Sequence, residues 1–270
     1  MKKVLLDFPF IGIRSWVELS NNRLLIVGNK FIKVFSLITY EVIKDIPSEA
    51  LNSEVAVTND KQLLFVATNK GIVQYSLPDV TCIETYWKHL SYCHFSILDS
   101  MKSVIYASKR KLGLFSFDSN NSFKIRAKSN SNIYSVVSKA DESYFFTTEK
   151  DETLNKWDAF TLNVIQFVVL ESLAICSFIN EDLNSIIIGK KNGSISEYFI
   201  EDLSHLRYIN SLHSCPIRKI LRLVSGNIIS VSENGDIQFP FSNINSIKIS
   251  NEKIYNFSQL SNETLDRLMI

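Results

Sequence analysis

The chain has 270 residues, 46% hydrophobic and 21% charged, the balance of a globular chain and not of a disordered one. Twenty-nine basic against 28 acidic side chains leave a net charge of +1, which excludes a molecule-wide field for nucleic acid or membrane and confines any electrostatic function to a local patch. No uncharged run approaches the roughly 18 residues that cross a bilayer.

The first residues, Met1-Lys2-Lys3-Val4-Leu5-Leu6, imitate a secretion signal, but Asp7 and Pro9 interrupt the apolar run and no small-residue cleavage site follows. The chain is therefore read as intracellular, cytoplasmic or nuclear. Residues 3–8 read as a strand standing before the first repeat. From there a turn recurs about every 40 residues, at Gly28-Asn29-Lys30, Asn69-Lys70-Gly71, Lys109-Arg110-Lys111, Lys150-Asp151-Glu152, Lys191-Asn192-Gly193 and Asn234-Gly235-Asp236. Each copy follows a β-branched apolar run and leads into a second run ending on an aromatic: Phe35, Tyr75, Phe115, Trp157, Tyr198 or Phe239. A period near 40 made of strands alone is the signature of a β-propeller, one four-stranded blade per repeat.

Each repeat is read as strands a to d. The first unit predicts strands at 13–19, 23–27, 31–37 and 41–46, and the second at 54–58, 63–68, 72–77 and 81–86. The third predicts 93–98, 103–108, 112–117 and 123–127, and the fourth 133–138, 143–148, 153–158 and 164–168. The fifth predicts 174–178, 185–189, 194–199 and 206–211, and the sixth 217–224, 227–232, 236–241 and 246–249. Strands a and b are near-continuous apolar runs, as expected where both faces of a sheet are covered. The expectation is one domain over 1–270, in blade units of about 1–46, 47–86, 87–127, 128–168, 169–211 and 212–250. Residues 254–262 echo residues 13–21, so a seventh, incomplete blade is expected from 251–270 with strand 3–8 closing it. Six blades closed by strand 3–8 is the alternative. An incomplete last blade would also accept a strand donated by a partner.

The fourth unit ends in Trp157-Asp158, the dipeptide that names the WD-repeat propellers, and Leu212-His213-Ser214-Cys215-Pro216-Ile217 resembles the start of such a repeat. The chain thus resembles a divergent WD-repeat (WD40) protein. The resemblance implies a hydrogen-bonded group of a His, a turn Asp, a Ser or Thr on strand b and the strand-c Trp. His213, Ser230 or Ser232, and Asn234 or Asp236 are the residues that match it, with Phe239 in place of Trp. It also implies that b–c turns and d–a loops share one face, the usual partner-binding face.

The four cysteines, Cys82, Cys93, Cys176 and Cys215, form no C-x-x-C pair and are read as reduced residues inside apolar runs. His89 and His94 flank Cys93, but adjacent strand positions point to opposite faces, so no metal site is expected. No nucleophile elbow, phosphate loop, dinucleotide fingerprint or zinc-protease motif occurs. The chain is read as a non-enzyme without cofactor or metal, a protein-interaction scaffold or assembly subunit. Candidate partner-binding residues are the turn cations Lys30, Lys70, Lys109, Arg110, Lys111, Lys150, Lys190 and Lys191, with the d–a residues Trp87, Lys88, His89, Tyr92 and His213. Cations in the turns would form a broken basic ring suited to an acidic protein partner; the alternative partner is nucleic acid, through its phosphates.

Overall fold

A computed structural model of the chain describes residues 13–19, 22–28, 31–36, 38–39, 41–47, 55–60, 62–68, 71–77, 79–86, 93–117, 124–139, 143–210, 212–222, 227–234, 236–241 and 247–248. Their strands form six four-stranded antiparallel sheets. The first is β1 (Ile13–Leu19), β2 (Arg23–Gly28), β3 (Phe31–Ser36) and β4 (Val42–Pro47). The second is β5 (Val55–Val57), β6 (Leu63–Thr68), β7 (Gly71–Ser76) and β8 (Thr81–Tyr86). β9 (Cys93–Leu98), β10 (Ser103–Ser108), β11 (Lys111–Ser116) and β12 (Lys124–Lys128) make the third. β13 (Ile133–Ser138), β14 (Tyr144–Glu149), β15 (Thr153–Asp158) and β16 (Val164–Val169) make the fourth. The fifth holds β17 (Ala174–Asn180), β18 (Ser185–Lys190), β19 (Ile195–Phe199) and β20 (His205–Ile209). The sixth holds β21 (Ile217–Arg222), β22 (Ile228–Ser232), β23 (Asp236–Gln238) and β24 (Ile247–Lys248).

In every sheet the strands pair in chain order, each with the next, so each repeat is one blade and the arrangement is that of a β-propeller with six blades. This corrects the expectation of seven. Each of the six sheets draws its fourth strand from its own repeat, so none is left short. The seventh had rested on the echo between 254–262 and 13–21, and the segments 3–8 and 251–270 assigned to it lie outside the described residues.

The chain divides into two compact units, one of Met1–His89 with Leu221–Ile270 and one of Leu90–Ile220. In the first, Leu19, Leu25, Ile32, Val34, Leu64, Val66 and Tyr75 make one buried cluster from two successive blades. In the second, one cluster joins Leu112, Leu114, Ile133, Phe145 and Trp157, and the next joins Phe146, Leu154, Ile186, Ile188 and Tyr198. Second strands are buried nearly throughout, β10 and β18 at all six positions, whereas the fourth strand β8 is exposed at four of six. That gradient explains why the second strands read as unbroken apolar runs. Fully burying one Ile or Phe contributes about 1.5–3 kcal/mol.

The repeated aromatics occupy one structural position. Phe35, Tyr75, Phe115, Trp157 and Tyr198 are all buried, and each pairs with the same second-strand site: Leu24, Leu64, Val104, Phe145 and Ile186. In four blades the register between third and fourth strands slips at that aromatic, between Val34/Phe35, Gln74/Tyr75, Lys156/Trp157 and Glu197/Tyr198. A bulge there adds twist to the outermost strand.

The first strands are less uniformly apolar than the sequence suggests. Ser96 and Ser138 hydroxyls stand 2.7 Å apart and Ser135 and Ser177 hydroxyls 2.8 Å, each pair separated by 42 positions, one repeat. Within the second unit, serines of adjacent first strands thus stitch neighbouring blades together.

Glycine is scarce because other residues take the left-handed turn positions. Val80, Leu162 and Leu203 have φ of 48, 54 and 52°, each in the turn before a fourth strand and each with its side chain buried. Burial of the apolar side chain offsets the roughly 1–2 kcal/mol of backbone strain.

Cysteine placement differs from expectation at one position. Cys176 is buried and donates to the Ile217 carbonyl at 3.4 Å, whereas Cys82 on β8 is exposed, because Thr81–Glu84 of that outermost strand face solvent without a break. The Cys93 side chain lies outside the described residues. Burial pushes the Cys176 thiol up to about 12, with Lys219 and Arg218 pulling only weakly the other way. Under native conditions at neutral pH, a maleimide is expected to label Cys82 within minutes and to leave Cys176 unmodified until denaturant is added. Peptide mapping of the labelled protein checks this; labelling of native Cys176 would contradict its burial.

Candidate functional site

The second unit brings its b–c turns and d–a loops onto one face and locks them together through the backbone. Ser129 N–H donates to Arg110 O at 2.8 Å, Ile133 N–H to Lys109 O at 2.8 Å, and Lys150 N–H to Asn132 O at 2.7 Å. The next blades repeat the device: Leu170 N–H to Glu152 O at 2.7 Å, Lys191 N–H to Leu173 O at 2.8 Å, and His213 N–H to Gly193 O at 3.0 Å. The opposite turn face is locked likewise, Ala159 N–H to Ser143 O at 3.2 Å and Ile200 N–H to Asn184 O at 3.0 Å. Side chains on the first face therefore project from a fixed frame.

Of the candidate residues, Lys109, Arg110, Lys111, Lys150 and Lys191 are exposed on this face. Lys109 holds φ at 54°, the turn position that presents its side chain outward. Arg110 Nε donates to the Ser129 carbonyl at 3.2 Å, which fixes the guanidinium stem over the d–a loop. Lys128, not among the candidates, joins them: it is exposed at the end of β12 and sits directly opposite Lys111 in the sheet. Its signal was the alternating Lys124-x-Arg126-x-Lys128 on an outermost strand. Like charges directly opposite destabilise a sheet, and no acidic side chain pairs with Lys109, Arg110, Lys111 or Lys128 among the described residues. Asp151, Glu152 and Glu171 are exposed on the same face near the fourth blade, so the uncompensated charge concentrates on the third.

Two candidates are not surface residues. Lys190 is 0% exposed, its ammonium 3.4 Å from Glu171 Oε2 and 4.9 Å from the centre of the Tyr208 ring. It ends β18 inside the blade, while its neighbour Lys191 begins the turn; the doublet gave no sign of which was which. His213 is 4% exposed, pressed against the fifth blade's turn where Gly193 leaves room for its carbonyl. Lys30, Lys70, Trp87, Lys88, His89 and Tyr92 lie outside the described residues. Among the described residues no group of three His, Cys, Asp or Glu side chains is assembled that could hold a metal ion.

The hydrogen-bonded group on this unit is in the fourth blade. The Trp157 indole N–H donates to Thr147 Oγ1 at 2.8 Å, Thr147 donates to Glu149 Oε1 at 3.0 Å, and the Ser129 hydroxyl donates to Glu149 Oε2. Third strand, second strand, b–c turn and d–a loop are joined in one chain of bonds. Glu149 is 1% exposed. Burial raises its carboxyl above the ordinary range against the opposing pull of the Ser129 and Thr147 hydroxyls, with the Asp151 charge adding to the rise. Ser129, Glu149 and Trp157 of this group line a cleft of about 690 Å³ together with Lys128, Leu162, Val164 and Phe167.

Because the folded pKa of Glu149 lies above the unfolded one, the native state holds the extra proton between the two values. The stability this site contributes is present below that window and falls as pH rises through it. Glu149→Gln removes the titration and keeps the acceptor. Urea midpoints of both proteins measured from acid to neutral pH are expected to show the wild type losing ground to the variant as pH rises. A difference independent of pH would contradict the buried, proton-holding carboxyl.

No protein-family model matches the chain, and no curated protein matches it. The class is the one its strands define, a six-bladed β-propeller.

Proposed function

We propose that this chain is a non-catalytic protein-interaction scaffold, a subunit of an intracellular assembly, that takes its partner on the turn face of the Leu90–Ile220 unit. The observation that carries this reading is the group Lys109, Arg110, Lys111 and Lys128: exposed, without acidic partners, set with Lys111 opposite Lys128, and mounted on backbone-locked loops. A sheet retains such a like-charge pair at a cost to itself, and an incoming acidic surface repays that cost. The partner is accordingly an acidic protein segment, steered by a local patch on a molecule of near-zero net charge.

Kinship with the WD-repeat propellers is part of the same reading. The Trp157–Thr147–Glu149–Ser129 chain supports it, with Glu in place of the family's turn Asp and Ser in place of its His.

The test is affinity purification of the tagged chain from its own cells, beside Lys109→Glu/Arg110→Glu/Lys111→Glu. One stoichiometric protein that is lost from the variant, and lost progressively with salt, is the expected result. A partner retained equally by the variant would move the binding surface elsewhere. Nuclease-sensitive recovery of nucleic acid alone would replace the scaffold reading with the phosphate-binding one.

A further inference from the structure

The cleft beside Glu149 runs between the end of β12 in the third blade and β15 and β16 of the fourth. Its two ends differ in chemistry. At the turn face, where β12 ends and β15 begins, its rim is polar: Lys128, Asn130, Asp151 and Thr153. Away from that face it is apolar. Trp157 and Leu162 are buried there, and Val164 and Phe167 are 44% and 62% exposed. Val164 pairs with Trp157 and Phe167 with Asn155, so these side chains stand on one face of the sheet, the face that lines the cleft. An exposed apolar surface rimmed by polar groups marks an interaction site.

The cleft opens directly off the cation group. Lys128 belongs to both: it sits opposite Lys111 in the sheet and forms part of the cleft's rim. Charge then limits what enters. Asp151 stands on the rim and Glu149 in the wall. At the turn beyond the apolar end, the Asp158 carboxylate accepts from the N–H groups of Thr161 at 2.6 Å and Phe160 at 3.0 Å. With carboxylates at both ends, an anionic group is repelled from inside the cleft and drawn to the cations outside it. An uncharged apolar group fits between them.

We infer that the acidic partner segment seats a large uncharged side chain, leucine or an aromatic, in this cleft, next to the residues that face Lys111 and Lys128. The inference rests on the reading of the cation group as the partner surface, and it makes the partner's motif bipartite, acid beside apolar anchor. The volume of about 690 Å³ lies within the roughly 300–1,000 Å³ of ligand sites. Phe167, however, leaves one side open to water. A small molecule lodged there would keep a face in solvent. A segment already held on the lysines brings its neighbouring side chain to the cleft at high effective concentration. A buried apolar anchor beside a charged rim is also the ordinary anatomy of a protein interface.

Selection of a phage-displayed library of random peptides on the full chain tests this, with enriched peptides resynthesised and measured by fluorescence anisotropy. The expected winners combine acidic residues with a neighbouring leucine or aromatic. Val164→Ser/Phe167→Ser, at exposed positions, should weaken such a peptide about tenfold and leave its salt dependence unchanged. Replacing the peptide's apolar residue by alanine should cost as much on the wild type and nothing further on the cleft variant. Ile83→Ser, at an exposed apolar position on β8, should bind as the wild type does, and circular dichroism confirms folding in each case. Acidic winners without an apolar residue, or winners indifferent to the cleft variant, would overturn the inference and leave the cation group as the partner surface. Winners bound equally well by Lys109→Glu/Arg110→Glu/Lys111→Glu would overturn both. An absence of enriched peptides would overturn the bipartite motif as well.

Discussion

Gly193→Ala is expected to destabilise the second unit by on the order of 4 kcal/mol, a large share of the roughly 5–15 kcal/mol that holds a protein folded. Gly193 holds φ at +81°, and a Cβ built on it would stand 2.0 Å from the His213 carbonyl oxygen and 3.1 Å from that of Cys215. Both obstacles are backbone, so neither can swing aside. Strain of about 1–3 kcal/mol at the positive φ adds to about 1–3 kcal/mol for displacing a packed neighbour. The displacement also breaks the bond from His213 N–H to Gly193 O, one of the links that fix the turn face. Gly113→Ala makes the comparison sharp: its Cβ would meet the far end of the Tyr106 side chain at 2.6 Å, which can turn. A loss nearer 1–3 kcal/mol is expected there. Thermal unfolding of the two variants decides; an equal or larger loss for Gly113→Ala would contradict the assignment of Gly193 as the rigid contact.

Trp157→Ala should cost about 3–5 kcal/mol. The indole is buried, stacked on Phe145 with centroids 6.0 Å apart and an 8° interplanar angle, and packed in the cluster of Leu112, Leu114 and Ile133. Its removal opens a cavity between two blades and takes the donor from Thr147, whose own hydroxyl holds Glu149. Trp157→Phe keeps most of the volume and loses only that bond, so about 1–2 kcal/mol is expected. Equilibrium urea unfolding separates the two terms. If phenylalanine were as damaging as alanine, the hydrogen-bonded chain and not the packing would dominate at this site.

The repeat made the strands legible because each turn and each aromatic recurs at nearly constant spacing, and a period of one blade leaves little freedom in register. The six described units fall where the turns place them, with a departure in the sixth, where β23 ends at Gln238, short of the expected 241. Features that depend on a side chain's surroundings were not legible. Lys190 and Lys191 are identical neighbours, yet one is enclosed by Tyr208 and Glu171 and the other is exposed. His213 reads as a surface imidazole until the fifth blade's turn is seen against it. Glu149 reads as one more turn carboxylate, because its partner Ser129 comes from the d–a loop twenty residues earlier in the chain. Val80, Leu162 and Leu203 carry none of the glycine or asparagine chemistry that marks a left-handed turn. The exposed Cys82 lies on an outermost strand whose first four residues all face solvent, which its apolar neighbour Ile83 does not reveal.

Hydrogen–deuterium exchange of the chain, alone and bound to its co-purified partner, tests the placement of the binding surface most directly. Slower exchange in the complex is expected at residues 109–111, 128–132 and 150–152. Protection confined to the opposite turns, at 99–102, 158–163, 181–184 and 200–204, with the first set unchanged, would contradict it.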